Sequence, residues 1–216
     1  DAVAATRGPG LVGALLVGLS LGRTLAFALD RPFHGVHHME AHLYSPFLST
    51  GGEPAEEPPE RFVGLVVSGG HSLLLEVAGR GADAHIATMA ETRDDAIGEA
   101  FDKLGKRVGL AYPQGPKVDA LAERGDAARC PLPIAAAPRG ELFFSYSGLK
   151  SQAILELERL RAAGIDTSPR LAADGGIDLA PEVLDLLAGF RAAAVAQLLH
   201  RVERLHRRRP IPLLAV

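Results

Sequence analysis

Apolar residues recur along this chain with two kinds of spacing, one typical of helices and one typical of short buried strands. Helical spacing predicts helices over residues 11–29, 36–48, 92–110, 117–124, 147–164 and 181–208. Strands are predicted at residues 1–6, 85–91 and 211–216, and as a hairpin with a tight Ser-Gly-Gly turn over residues 61–79. Because strands are followed by helices, and a hairpin opens the second part, this pattern indicates an α/β fold.

Polar residues near two of the predicted helices indicate where those helices begin. Asp94 or Asp95 is expected to cap the helix over residues 92–110, since a short carboxylate can accept the first backbone N–H groups. Ser147 is expected to cap the helix over residues 147–164 in the same way. In both cases the expected capping residue lies at the start of the helix that it caps.

One segment without apolar periodicity suggests a boundary. Residues 49–60 read "STGGEPAEEPPE", a mixture of Gly, Pro and Glu typical of a loop. We expect this hinge to separate a first lobe, residues 1–48, from a second lobe, residues 61–216. The apolar strands at the two ends of the sequence suggest that it is a fragment of a longer protein.

Composition and charge restrict the classes of function. The chain is 47% apolar with a net charge of −3, which is typical of a globular protein, so that binding of nucleic acid would need a local basic patch. Residues 200–210, "HRVERLHRRRP", are such a candidate, although a solvated helix end whose arginines complement the dipole is the favoured interpretation. Cys130, the single cysteine, excludes an intramolecular disulfide and suits a reducing, cytoplasmic compartment.

The apolar run over residues 11–29 requires a separate membrane test. Arg23 interrupts the run, and the uncharged part that precedes it is too short to cross a bilayer. We therefore expect a buried helix and no membrane association.

Three histidines lie close together in "GVHHMEAH", residues 35–42. On a helix, His38 and His42 share one face and could hold a metal ion, whereas His37 points elsewhere. Ordinary hydrogen-bonded histidines are the competing interpretation. A zinc peptidase is disfavoured, because Glu40 would lie about 200° around the helix from His38 at ~3.6 residues per turn. Further metal ligands would have to come from elsewhere, and mixed imidazole and carboxylate ligation suits iron or zinc.

Other segments carry weaker signals for ligand binding. The stretch "VVSGGH" places two glycines after an apolar strand, where backbone N–H groups could approach a phosphate. Asp102 could be a ligand-binding or merely a solvated carboxylate. Gly115 could allow close approach of a ligand, and Asp119 could accept hydrogen bonds from ribose, but a Pro-Gly turn that opens a helix is the favoured explanation of both. Taken singly, each of these features favours a structural role.

Taken together, the segments resemble one protein family. "TRGPGL", "GVHHMEAHLYSPF", "VVSGGHS", "DDAIGEAFDKLGKRVGLAYPQGP" and "FSYSGLK" occur in this order with ordinary spacing. They are similar to the tRNA adenosine threonylcarbamoyltransferase family, formerly described as O-sialoglycoprotein endopeptidases. The resemblance implies a two-lobed fold of the actin, Hsp70 and sugar-kinase type (ribonuclease H-like), here incomplete.

The resemblance also implies an acyltransferase reaction and its site. The threonylcarbamoyl group of threonylcarbamoyl-adenylate passes to the exocyclic amine of the adenosine that follows the tRNA anticodon, and AMP is released. His38 and His42 would bind one metal ion, iron in preference to zinc, and no catalytic residue is expected apart from this metal site. The implied substrate-binding residues are Val66, Val67, Ser68, Gly69, Gly70, Asp102, Gly115 and Asp119.

Partners are implied as well. Besides tRNA, family members work with a non-catalytic paralogue and other subunits of a modification complex, and residues 11–29 could form part of such an interface. A non-catalytic assembly subunit of the same fold is an alternative to the enzyme, although such a subunit would have little reason to keep both His38 and His42.

The sequence departs from the family pattern in places. Gln114 stands where the family usually has a glycine, and "HSLL" replaces the usual "HTQL". The family's third metal ligand, an Asp near the C-terminus, and an Asn in a later glycine-rich turn have no counterpart before Val216. We therefore expect these 216 residues to be inactive in transfer by themselves.

Overall fold

The computed structural model describes residues 1–48, 57–134, 141–172 and 175–216 and is a mixed α/β structure, as predicted. The strands are β1 (Val3–Gly8), β2 (Phe33–His37), β3 (Arg61–Val67), β4 (Ser72–Ala78), β5 (His85–Glu91), β6 (Arg170–Leu171), β7 (Ile177–Asp178) and β8 (Leu214–Ala215). The helices are α1 (Val12–Ala28), α2 (His38–Tyr44), α3 (Ile97–Val108), α4 (Gly115–Ala122), α5 (Ser147–Ala162) and α6 (Pro181–Arg208), with short 3₁₀ turns at Ser45–Phe47 and Gly81–Asp83.

The chain forms two compact units. Unit 1 comprises residues 1–66, 76–87 and 212–216, and unit 2 comprises residues 67–75 and 88–211. This partition places β8, most of β3 and parts of β4 and β5 with the first 48 residues, and so differs from the predicted lobes. Residues 49–56 of the predicted hinge lie outside the described residues, and the lobe division stays a prediction.

Two of the strand pairs are parallel. Strands β1 and β2 are parallel, with Val3 opposite Phe33 and Ala5 opposite Gly35. The four-stranded sheet has the order β5-β4-β3-β8, and β8 lies parallel to β3. A parallel pair requires a crossover connection, which α1 provides between β1 and β2.

Helix α1 is far more exposed than predicted. Only Gly22 and Ala26 are buried, whereas Phe27 is 90% exposed. Leucines and valines cover most of the helix circumference, and within the described residues only the face toward β1 and β2 is covered. The expectation of a buried helix was therefore wrong, because apolar composition around a helix does not determine how many of its faces find a partner.

Helix α2 begins later than predicted, since Val36 and His37 belong to β2. Met39 and Leu43 form its buried side. Tyr44 adds an edge-on ring contact with Phe62 at 6.0 Å between centroids. These contacts fix the rotation of the helix in unit 1, so the side that carries His38 and His42 is turned away from the core.

Unit 2 is a helical assembly around α6. Helices α4 and α5 pack on α6, and α3 packs on α4 and α5. Within the described residues, α6 is the one helix long and apolar enough to cross a membrane by length and composition, but 56% of its apolar window is buried inside the protein. Gln197 and Arg201 on its buried side donate hydrogen bonds to the carbonyls of Ser145 and Phe143. Burial and these hydrogen bonds are typical of a helix in the core of a folded domain.

Helices α3 and α5 begin on capping groups from other segments, contrary to prediction. Neither Asp94 nor Asp95 caps α3; its first N–H, on Ile97, donates to the buried hydroxyl of Ser72 at 3.3 Å. Asp94 instead caps α5, accepting the N–H groups of Tyr146 and Ser147 at 2.9 and 3.3 Å. Ser147 is the first helical residue of α5, and its hydroxyl donates to Asp94.

Asp95 binds two lysines rather than a helix end. Its carboxylate accepts hydrogen bonds from Lys103 on α3 and Lys150 on α5. Burial by itself raises the pKa of Asp95, but these lysines outweigh burial and hold the pKa below its usual value. The buried carboxylate thereby ties α3 to α5.

Replacement of Gly189 tests the packing of α6. A Cβ there would overlap the backbone carbonyl of Cys130, so Gly189→Ala should lower the free energy of unfolding by about 1–3 kcal/mol. Gly18→Ala on α1 is the matched control, because its Cβ meets nothing within 4 Å and should stabilise by about 0.5–1 kcal/mol. Urea unfolding measures the free energy of unfolding of both variants. Equal effects of the two variants would contradict the close approach of Gly189 to the carbonyl of Cys130.

Replacement of Asp95 tests the lysine pair through pH. A carboxyl whose pKa is depressed in the folded state contributes stability above its unfolded pKa of about 3.9, and this is lost as pH falls through the lower folded pKa. Asp95→Asn should therefore be less stable at pH 7 by about 1–3 kcal/mol, and the difference should shrink toward pH 2. Asp83→Asn, at an exposed carboxylate, is the control. A stability difference between wild type and Asp95→Asn that stays the same down to about pH 2 would contradict the proposed pairing of ionised Asp95 with the two lysines.

Candidate functional site

The predicted pairing of histidines on α2 is confirmed. The Nε2 atoms of His38 and His42 lie 3.3 Å apart, and the ring centroids are 4.5 Å apart. Both side chains are exposed. The two nitrogens therefore converge on one point outside the helix.

This geometry fits a shared metal ion. Two ligand nitrogens at ~2.0–2.1 Å from a tetrahedral ion stand about 3.3 Å apart, which is the separation observed. Within the described residues, no group of three or more His, Cys, Asp and Glu side chains is placed to hold a metal. Metal binding by this pair therefore stays a prediction, and it would require further ligands from elsewhere.

The glycine-containing turn between β3 and β4 is closed by its own hydrogen bonds. The N–H of Ser68 donates to the carbonyl of His71 at 2.9 Å, and the N–H of His71 donates to the hydroxyl of Ser68 at 3.1 Å. Gly69 and Gly70 have open space where side chains would stand. The outer side of this turn is thus accessible backbone, the type of surface that an anion can approach.

This turn rests on the start of α3. A Cβ at Gly98 would lie 2.6 Å from the Cα of Gly69 and 3.0 Å from the carbonyl oxygen of Ser68, so only glycine permits the contact. Ser72, directly after the turn, accepts the N–H of Ile97. The positive end of the α3 dipole is therefore placed beside the turn, where it favours a negative ligand.

Asp102 lies one turn further along the same helix. Its Oδ1 accepts the N–H groups of Gln114 and Gly115 at 3.1 and 2.7 Å and so holds the entry to α4. Within the described part of the chain its Oδ2 has no hydrogen-bond partner. The residue is thus more than a solvated carboxylate, because its Oδ1 orders the loop that leads into α4.

The position of Asp119 differs from that of the other candidates. Its carboxylate lies 3.5 Å from the guanidinium of Arg191 on α6, and its side chain is 58% exposed. Among the residues that the structure describes, no hydrogen bond or ion pair joins this carboxylate to Asp102 or to the turn. A role in binding ribose stays a prediction for this residue.

The structure joins some of the predicted residues and not others. Ser68, Gly69, Asp102 and Gly115 form one connected arrangement through α3 in unit 2. At the end of β3, Val66 is buried and Val67 is 40% exposed. The histidine pair belongs to unit 1.

Sequence reasoning missed Ser72 and Arg191. Ser72 is fully buried, and its position directly after a strand-turn motif carried no signal of a contact with α3. Arg191 stands 72 residues from Asp119, too distant for any local pattern to reveal the pair. A polar residue at a predicted buried strand position was the only available hint for Ser72.

Comparison with known proteins gives consistent matches. A family model described as tRNA N6-adenosine threonylcarbamoyltransferase matches residues 1–216. A Burkholderia mallei protein of that name is 47% identical over 195 residues, which cover 90% of this chain and 51% of the relative. An Albidiferax ferrireducens protein of the same name is 46% identical over 200 residues, with 92% of this chain and 52% of the relative covered.

The chain spans about half the length of the curated relatives it matches. The family model matches the chain from residue 1 to residue 216. The chain belongs to the tRNA N6-adenosine threonylcarbamoyltransferase family.

Proposed function

We propose that this chain supplies the metal-binding histidines and part of the nucleotide site of an acyltransferase that makes threonylcarbamoyladenosine in tRNA. The observation that carries the proposal is the connection, through α3, of the glycine-containing turn to Asp102 and Gly115. It joins accessible backbone, a helix N-terminus and a carboxylate oxygen in one rigid arrangement. Such a combination suits an adenylate, which offers both a phosphate and ribose hydroxyls.

The proposed reaction is an attack by the exocyclic amine of adenosine on the carbamoyl carbon of threonylcarbamoyl-adenylate. A new C–N bond forms, the bond from that carbon to the phosphate oxygen breaks, AMP leaves, and the amine loses a proton. The adenylate arrives activated, so a nucleophilic side chain is not required. The chain's contribution is to position the adenylate and to stabilise charge on the leaving phosphate.

In this proposal the N–H groups of Gly69 and Gly70 lie nearest the phosphate. Asp102 holds Gly115 with Oδ1 and accepts a ribose hydroxyl with Oδ2. Asp119 is a second candidate for the ribose, with Arg191 beside it. Val66 and Val67 form the strand end that leads into the turn.

His38 and His42 would hold one metal ion, iron in preference to zinc, together with ligands from outside this pair. Bound there, the ion would supply Lewis-acid polarisation and a template for the reacting group. The 3.3 Å separation of the two Nε2 atoms supports this assignment.

The finer fold and the partners are also part of the proposal. An actin, Hsp70 and sugar-kinase type of architecture would place the ligand between two lobes. Cytoplasmic tRNA would be the acceptor, and a non-catalytic paralogue with other complex subunits would assist. The exposed apolar residues of α1, among them Leu16, Val17 and Leu21, are consistent with a covered interface in the assembled complex. The peptidase alternative is not favoured, since the matched relatives are named as transferases.

Removal of either histidine tests the metal proposal. His38→Ala and His42→Ala should each weaken binding of Fe²⁺ and Zn²⁺ to the chain at least about tenfold, because half of the converging pair is lost. His34→Ala, an exposed histidine four residues before His38, is the matched control and should bind as the wild type does. Anaerobic calorimetry measures all three. Equal binding by the control and both variants would refute a site on α2.

A chimera tests the transfer reaction. Residues of this chain replace the matching segment of the Burkholderia mallei relative, and threonylcarbamoyladenosine in tRNA is quantified by mass spectrometry. We expect product from the chimera, a loss of at least about tenfold in kcat/KM for Asp102→Ala, and a smaller loss for Asp102→Asn, which keeps the Oδ1 acceptor. A folded chimera without product would overturn the proposed function, and an unchanged Asp102→Ala would overturn the role of Asp102.

A further inference from the structure

We infer that Ser72 is a positioning residue for the nucleotide site, because its hydroxyl fixes the glycine-containing turn to helix α3. This inference rests on the proposed function, and it assigns a role to a residue outside the set of expected substrate contacts. Ser72 is completely buried, so its side chain does not touch a ligand. Any influence on the reaction must pass through the groups that it holds.

Ser72 has contacts in two directions. Its hydroxyl accepts the N–H of Ile97, the first residue of α3, at 3.3 Å. Its backbone carbonyl accepts the hydroxyl of Thr92 at 3.0 Å. Since Ala96, at the N-cap position of α3, provides no side-chain acceptor, Ser72 is the group that satisfies the first N–H of the helix.

Ser72 also affects the glycine-containing turn, because it is the next residue along the chain. Ser72 directly follows His71, whose N–H and carbonyl close the turn with Ser68. A hydrogen bond from α3 to the next residue therefore anchors the end of the turn. The contact between Gly98 and Gly69 holds its middle against the same helix.

The same helix carries Asp102, so the distance from the turn to the carboxylate depends on these two anchors. Gly98 gives a contact that limits approach but exerts no directional force. The hydrogen bond of Ser72 is directional, because N–H···O geometry weakens steeply when it bends. Loss of this hydroxyl should consequently loosen the turn relative to Asp102 without removing any ligand-binding group.

The test compares Ser72→Ala, Ser72→Thr and Thr167→Val in the full 216-residue chain. Thr167 is the matched control: it is a buried hydroxyl that accepts a hydrogen bond, from Arg161 at 2.8 Å, and it lies outside the proposed site. The probe is AMP, with affinity measured by calorimetry and stability by thermal unfolding. We expect both Ser72→Ala and Thr167→Val to lower Tm, since each loses one buried hydrogen bond.

Only Ser72→Ala should weaken AMP binding, by about five- to tenfold, the effect of one misplaced hydrogen-bonding group. Ser72→Thr keeps the hydroxyl and should restore affinity. Equal AMP affinity in Ser72→Ala and wild type, or an equal loss in Thr167→Val, would reduce Ser72 to a structural residue and overturn the inference.

Amide hydrogen exchange separates this inference from the proposed function. Ser72→Ala should speed exchange at the Ser68 and His71 amides, which close the turn, whereas Thr167→Val should not. A wild type that does not bind AMP counts against the proposed nucleotide site, and the exchange comparison then decides the coupling alone. Unchanged exchange at Ser68 and His71 would overturn it.

Discussion

Helix α3 is held at its start by the hydroxyl of Ser72, the first residue of β4, and by direct backbone packing of Gly98 on Gly69. Everything proposed for nucleotide binding in unit 2 is placed relative to this helix. The turn rests on its first residues, and Asp102 projects from its second turn toward Gly115. A contact between two glycine backbones leaves no side chain to adjust, so the spacing of these groups is set by the main chain itself.

The helix ends of unit 2 show a second constraint. Each of α3 and α5 receives its capping group from a remote segment, Ser72 for one and Asp94 for the other. A helix capped by its own sequence can form and fray by itself, whereas these two depend on the fold for their first hydrogen bonds. Burial by itself raises the pKa of Asp94, but the hydroxyls of Ser145 and Ser147 and two backbone N–H groups outweigh burial and lower it. The hydrogen bonds that hold the start of α5 therefore favour the ionised form of this carboxylate.

The sequence predicted what depends on local spacing. The i, i+4 arrangement of His38 and His42 was correct because four residues on a helix always return to one face. The class of fold and most helices followed from apolar periodicity. The predicted capping roles of Asp94, Asp95 and Ser147 were wrong because an acceptor near the helix start in sequence competes with acceptors from remote segments. Only the tertiary structure brings those remote acceptors to the helix. The buried state expected for residues 11–29 failed for a related reason, since burial needs a partner surface that periodicity does not specify.

Helix α6 shows what polar groups do within an otherwise apolar surface. Gln197 and Arg201, one turn apart, each donate to a different carbonyl of the stretch that leads into α5. The apolar contacts of the helix are less directional than these hydrogen bonds, and a slip by one turn would also move Gly189 away from the carbonyl of Cys130. Such a slip would separate both donors from their carbonyls in low-dielectric surroundings. These two residues therefore add a directional penalty against any shift of the helix along its axis, on top of the steric constraint at Gly189.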